Sequence, residues 1–267
     1  MNHRELIEES NRQFIGAWSL MAAPVAGATV VERDGIAIAD PGVPLFIMNV
    51  GFLTSPPVDA ADGRRRAEAL LEHFGRDGRA WMAPVSNDWC QGEEGAAFGA
   101  ALREAGLEPA MELTGMAAGA LTAPSRPMPG ELEIQPVSTE EDVLAISDLN
   151  CEANQIPLEW GRESITQPGY WTGDRFGYVG RVNGRPAAAG AIFPVDGIAY
   201  VGWMATVEAH RGKGYAEAIM RHGLAEERRR SGVERTVLHA TAMGEPVYRR
   251  LGYECQTVFT CWVKMPG

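Results

Sequence analysis

No run of about 18 apolar residues occurs in the 267-residue chain, so the sequence predicts no membrane-spanning helix. Cysteine is scarce: only Cys90, Cys151, Cys255 and Cys261 occur. None forms a C-x-x-C pair, and Cys255 and Cys261 lack a histidine at zinc-ligand spacing. They read as free thiols in a reducing compartment. The five histidines are scattered, so no metal site is expected. Basic residues are outnumbered, with 24 Lys plus Arg against 35 Asp plus Glu and a net charge of −11. That balance argues against a nucleic-acid surface and against anionic-membrane binding. It weakly favours a cationic partner. Met1 to Ser10 is charged rather than apolar, so no signal peptide is expected. The default location is then cytoplasmic.

What is present is globular. About 45% of residues are hydrophobic and 22% charged, the balance of an ordinary soluble chain. The length suits one large domain or two small ones. The clearest break is AAGALTAPSRPMPG, with three prolines and no amphipathic period. It divides the chain into 1–117, a linker over 118–130, and 131–267.

In the second part, LEIQPV, FGYVGRV, Pro186–Phe193, Ile198–Val207, Arg235–Thr241 and Tyr253–Lys264 read as strands. Asn183-Gly184 is a hairpin signal, because both positions tolerate positive φ, and a second turn is expected at Asp196-Gly197. Helices are expected from Thr139 to Cys151, within Asn154–Ile165, over Gly214–Arg230 and over Glu245–Leu251. The first part reads in a similar order. A helix over Arg4–Leu20 precedes strands near Ala28–Val31, Gly35–Ala39 and Pro44–Phe52. Helix Asp59–Phe74, strand Arg79–Val85, helix Glu93–Ala105 and strand Leu107–Met116 follow. The fold class is thus α/β (α+β), with two lobes repeated in element order.

Chemistry concentrates in YVGWMATVEAHRGKGYAEAIM. A strand ends near Val207, then Arg211-Gly212-Lys213-Gly214-Tyr215-Ala216 opens an amphipathic helix. The glycines let a ligand approach the backbone. The first N–H groups of the helix lack internal partners and sit at its positive end. A pyrophosphate suits such a place. Taken by itself, the loop also reads as a basic cap on a surface helix. Its spacing is neither that of a Walker A loop nor G-x-G-x-x-G.

Arg211-x-x-Gly214-x-Ala216 resembles the R/Q-x-x-G-x-G/A motif of the GCN5-related N-acetyltransferase family. Tyr248-Arg249-Arg250-Leu251-Gly252-Tyr253 resembles that family's Y-x-x-x-G-F/Y segment, and the order of elements from about 131 is similar. The resemblance implies two acyl-CoA N-acyltransferase-like lobes, each a mixed, mostly antiparallel sheet flanked by helices. It implies acetyl-CoA as acyl donor, with no metal. Its pyrophosphate would lie on Arg211, Gly212, Lys213, Gly214, Tyr215 and Ala216. Its pantetheine arm would lie along Met204, Ala205 and Thr206, where one backbone N–H would polarise the thioester. Tyr248 would protonate the departing thiolate; the other reading is a core aromatic on a short helix.

Two positions depart from the family pattern. Thr241 stands where many members carry a cofactor-contacting Asn, and Thr236 where some carry a basic Glu. The base is therefore unassigned among Glu208, His239, Glu152, Glu159 and a water chain. Glu208 reads first as a turn residue and His239 as a packing histidine. Cys151 and Cys255 have no visible base and are not expected to carry an acyl group.

In the first part the corresponding turn is GFLTSPPVDAADGRRR. It lacks the motif, and Pro56 and Pro57 remove two backbone donors. Arg64, Arg65 and Arg66 read as a solvated face. This half is expected to be a degenerate acetyltransferase-like lobe that completes an acceptor pocket or mediates self-association as a homodimer. The whole is expected to acetylate an amine of a small molecule. The rival readings are a protein or peptide N-acetyltransferase, a non-catalytic acyl-CoA-binding regulator, and a different acyl-CoA reaction.

Overall fold

Asn183 and Gly184 have φ of 51° and 75°, and Asp196 and Gly197 have 49° and 74°. Left-handed backbone at both central positions is what a two-residue hairpin turn requires. These turns join β7 (Phe176–Val182), β8 (Arg185–Val195) and β9 (Ile198–Thr206) into an antiparallel meander. The computed structural model describes residues 1–76, 78–124, 127–167 and 169–265. Ser125 and Arg126 of the expected linker lie outside that set.

The chain packs as two compact units. The first comprises Met1–Met116, His239–Glu245 and the residues from Cys255 on; the second comprises Ala117–Leu238 and Pro246–Glu254. A partition at 117 and 131 would give the last strand to the second unit, whereas its contacts place it in the first.

In the first unit, α1 (His3–Ala22) opens with a capping box between Asn2 and Glu5. Strands β1 (Thr29–Arg33), β2 (Ile36–Asp40) and β3 (Val50–Leu53) are antiparallel neighbours. β4 (Trp81–Ser86) runs parallel to β3 after helix α2 (Ala60–Phe74). Helix α3 (Glu93–Glu104) and strand β5 (Glu108–Ala118) follow. The last strand of the chain, β11 (Glu254–Lys264), pairs antiparallel with β4 from Phe259↔Ser86 to Lys264↔Trp81. Phe14, Val50, Met82, Phe259, Cys261 and Val263 share one apolar cluster.

Two expectations change in this unit. The stretch expected as strand Pro44–Phe52 starts instead with a 3-10 turn, Phe46–Met48. Buried Asn49 explains it: its amide donates to Val43 O and Ala80 O at 2.7 and 2.9 Å, and its Oδ1 accepts from Val43 N at 3.2 Å. Those bonds take the place of a ladder. Arg66 is buried rather than solvated, donating to Gly35 O and Ser55 O and pairing with Asp62.

In the second unit, β6 (Glu133–Pro136) pairs antiparallel with β7. α4 (Glu140–Asn154) carries a capping box between Thr139 and Asp142, and α5 (Leu158–Ile165) packs on α4. After β9 comes α6 (Tyr215–Ser231), then β10 (Thr236–Ala240), parallel to β9 and part of this unit as far as Leu238, then α7 (Glu245–Arg250), part of it from Pro246. Ala145, Ile146, Leu149, Val179, Ala189 and Ala205 form the core between α4 and the meander. No helix among the described residues is long and apolar enough to cross a membrane.

Candidate functional site

The end of β9 is shaped by a bulge. Ala189 pairs with Ala205 and Ala191 with Gly202, so Trp203 and Met204 together oppose Gly190. Trp203 has φ of 54°, an uncommon conformation for a bulky residue. Asn150, buried on α4, donates to Trp203 O at 3.2 Å and so holds the bulge. A Cβ on Gly190 would meet Met204 Sδ at 2.3 Å. Glycine is needed there for the bulged methionine to lie across β8. The parallel ladder to β10 comprises Thr236↔Ala199 and Val237↔Tyr200. Met204, Ala205 and Thr206 run beyond it.

A 3-10 turn, Glu208–His210, leads into the glycine loop. Gly212 and Gly214 have φ of 77° and 88°, and the space around Gly212 is open. Gly214 is the N-cap of α6 and supplies no side-chain cap. The first N–H groups of a 17-residue helix are thus left for an external acceptor. Lys213 is exposed and contacts His210 Nδ1 at 3.3 Å. These features fit a phosphate.

Two loop side chains are otherwise engaged. Arg211 donates to Thr206 O at 3.2 Å and to Ala153 O at 3.3 Å, bracing the loop against β9 and the end of α4. Tyr215 is buried, and its hydroxyl donates to Glu131 Oε1 at 2.8 Å. Tyr215 therefore faces the loop with its backbone alone. Ala216 is half-buried in the first turn of α6.

Tyr248 is half-buried on α7. Its ring meets Tyr253 edge-on at 5.8 Å. Surrounding protein pushes its phenol up to about 12, so it carries its proton at neutral pH. Among the described residues its hydroxyl has no hydrogen-bond partner. Tyr253, by contrast, bonds Thr236 Oγ1 at 2.8 Å. That bond occupies Thr236, which stands at the basic-Glu position.

Thr241 belongs to the first unit, where its hydroxyl accepts from Gly244 N at 3.3 Å. His239 is also in that unit, stacked on Phe14 with ring centroids 3.9 Å apart and bonded to Ser10 Oγ at 3.2 Å. Burial lowers it to about 3, the behaviour of a packing histidine. Glu152, Glu159 and Glu208 are exposed. All four cysteines are free. Burial pushes the Cys90 and Cys261 thiols up to about 12 and raises Cys151 as well. Among the described residues no group of His, Cys, Asp or Glu could hold a metal ion.

Sequence reasoning missed Asn150, Gly190 and Glu131. Only Gly190 carried a signal, since an isolated glycine in a strand marks a bulge or a close approach. The partners of Asn150 and Glu131 lie 53 and 84 residues away.

Residues 173–255 match the acetyltransferase (GNAT) domain family. No curated protein matches the chain. Among solved structures, a GCN5-related N-acetyltransferase from Kribbella flavida is 18% identical, with 96% of each chain covered and a TM-score of 0.67. A functionally unknown conserved protein from Staphylococcus epidermidis is 16% identical, covering 91% of this chain and 96% of its own, with a TM-score of 0.63. A tandem GNAT protein from the clavulanic acid biosynthesis pathway is 16% identical over 87% of this chain and 78% of its own, with a TM-score of 0.54. The chain thus has the GNAT fold, a mixed and mostly antiparallel sheet flanked by helices, and carries over residues 173–255 a GNAT-type acetyltransferase domain, an acyl-CoA-dependent enzyme type.

Proposed function

We propose that this protein transfers the acetyl group of acetyl-CoA to an amine, by direct attack while both are bound. The observation that carries the reading is the uncapped start of α6 behind Gly212 and Gly214, beside a β9 end that runs past its ladder. Backbone N–H groups of Lys213, Gly214, Tyr215 and Ala216 hold the pyrophosphate, with Gly212 leaving room for it and Lys213 adding charge. Arg211 serves by fixing the loop. Met204, Ala205 and Thr206 pair with the pantetheine arm, and one N–H there stabilises charge developing on the thioester oxygen. Acetyl-CoA supplies the activated acyl group.

Tyr248 gives its proton to the departing sulfur. Its free hydroxyl and its retained proton suit that task. The protein otherwise contributes positioning, which makes the attack effectively unimolecular. A small-molecule amine is the preferred acceptor, and the acidic balance suits a cationic one.

The first unit serves as a degenerate lobe, as in a tandem arrangement. At its corresponding helix start, Asp59 Oδ1 accepts from Asp62 N at 2.8 Å and Asp62 Oδ2 accepts from Val58 N at 3.1 Å. Two carboxylates occupy the place a pyrophosphate would need. One acetyl-CoA per chain is the result.

Calorimetry with acetyl-CoA tests this reading. One equivalent should bind, and replacing both Arg211 and Gly214 should weaken binding sharply; unchanged affinity refutes the cradle. An amine panel read by thiol release should then find turnover, with Tyr248→Phe lowering it about 10²-fold. Binding without thiol release across the panel would favour the regulatory module instead.

A further inference from the structure

The segment between the two expected domains does more than tether them. Thr122 lies on the last turn of α7. Its N–H donates to Leu251 O at 3.0 Å, and its hydroxyl donates to Arg250 O at 2.9 Å. Its methyl packs against Gly252, where a Cβ would meet Thr122 Cγ2 at 3.1 Å. Carbonyls at the C-terminal end of a helix have no partner within it. Here one residue, 128 positions earlier in the chain than Arg250, satisfies two of them. Its own carbonyl accepts from Arg221 Nη2 at 2.7 Å. Arg221 in turn donates from Nε to Glu217 Oε1 at 2.8 Å, in the first turn of α6.

α7 needs such support. It has six residues, none of them fully buried, and a helix so short is not stable by itself. It also carries Tyr248. We propose that Thr122 is a positioning residue for Tyr248: by capping the end of α7 it fixes the tyrosine in its half-buried place and, through Arg221 and Glu217, ties that place to the opening turn of α6. The inference rests on the acid role given to Tyr248 above, but the position of the ring can be read without any reaction.

The test uses the full chain with tyrosine labelled at the phenol carbon, and Tyr248→Phe to identify the Tyr248 signal. Thr122→Val removes the hydroxyl and keeps the shape; Thr122→Ser keeps the hydroxyl. In the parent the Tyr248 phenol should titrate above the ordinary 10, and in Thr122→Val its titration should move back toward that value as the ring gains water. Thr122→Ser should behave as the parent. Acetyl-CoA affinity should stay within about twofold, while turnover falls about tenfold, a loss of roughly 1.4 kcal/mol in barrier stabilisation. An unmoved titration in a folded Thr122→Val overturns the proposal, as does Thr122→Ser failing in the same way as Thr122→Val. Should Thr122→Val not fold, Arg221→Gln keeps both Thr122 donors and loosens only their anchor. It should shift the titration in the same direction by less, and no shift overturns the proposal. If the parent shows no thiol release, the proposed activity fails while the titration still decides the positioning.

Discussion

His239 sits against Phe14 with the ring planes 21° apart, and its Nε2 is 3.2 Å from Ser10 Oγ. Burial favours the neutral ring and lowers it from 6.5 to about 3. In the unfolded chain the same ring takes up a proton below about 6.5. Between those values the unfolded state binds more protons, so stability is full above 6.5 and falls as pH drops toward 3. The ring keeps some accessible surface, which reduces the loss to about 2 kcal/mol near pH 4.5. His239→Gln retains a partner for Ser10 and cannot titrate in this range. Urea unfolding near pH 7 and pH 4.5 should show the parent losing about 2 kcal/mol more than the variant; equal losses would remove the burial argument. At this scale the sequence pointed to a packing histidine but not to its partners, since Ser10 is 229 positions away. Arg211 shows the same limit. Its charge beside two glycines suggested phosphate contact, yet the two carbonyls that its guanidinium finds are set by the fold.

Local signals read the elements well wherever turn chemistry was explicit. Asn183-Gly184 and Asp196-Gly197 gave the meander of β7, β8 and β9, and Gly214 gave the start of α6. They failed where a side chain replaced a ladder, as Asn49 does before β3. They were also silent on the β9 bulge, because a bulge is a property of a pair of strands. That bulge can be tested from its partner. In Gly190→Ala the new methyl would meet Met204 Sδ at 2.3 Å and Ile219 Cγ2 at 3.0 Å. The methionine can swing aside, but only by leaving its place across β8, and Ile219 is a core residue of α6. Overpacking of this kind costs about 1–3 kcal/mol. The expected result is a lower Tm together with weaker acetyl-CoA binding, because Met204 to Thr206 would be displaced. A Tm loss with unchanged affinity would mean that the bulge serves packing alone.

For the whole molecule, the element order suggested two successive lobes, and the contacts show why order is not enough. β11 is last in the chain, yet it lies on β4 in the first unit through six residue pairs. Nothing in the alternation of Glu254–Lys264 specifies which strand it joins, because the side-chain period fixes the face and not the neighbour. The apolar face it brings is substantial. Phe259, Cys261 and Val263 are buried with Phe14, Val50 and Met82, and each large side chain contributes roughly 1.5–3 kcal/mol on burial. A fragment ending near residue 120 would lose all three and expose the edge of β4, an invitation to aggregate. Such a fragment should therefore lack cooperative unfolding and sharp near-ultraviolet dichroism from Trp81 and Trp89, which are buried in this unit. Adding a peptide of residues 254–265 should restore both, and the same peptide with Phe259→Asp should not. A fragment that unfolds cooperatively by itself, indifferent to the peptide, would show that β11 adds little to the first unit and that division by chain order describes the stable parts after all.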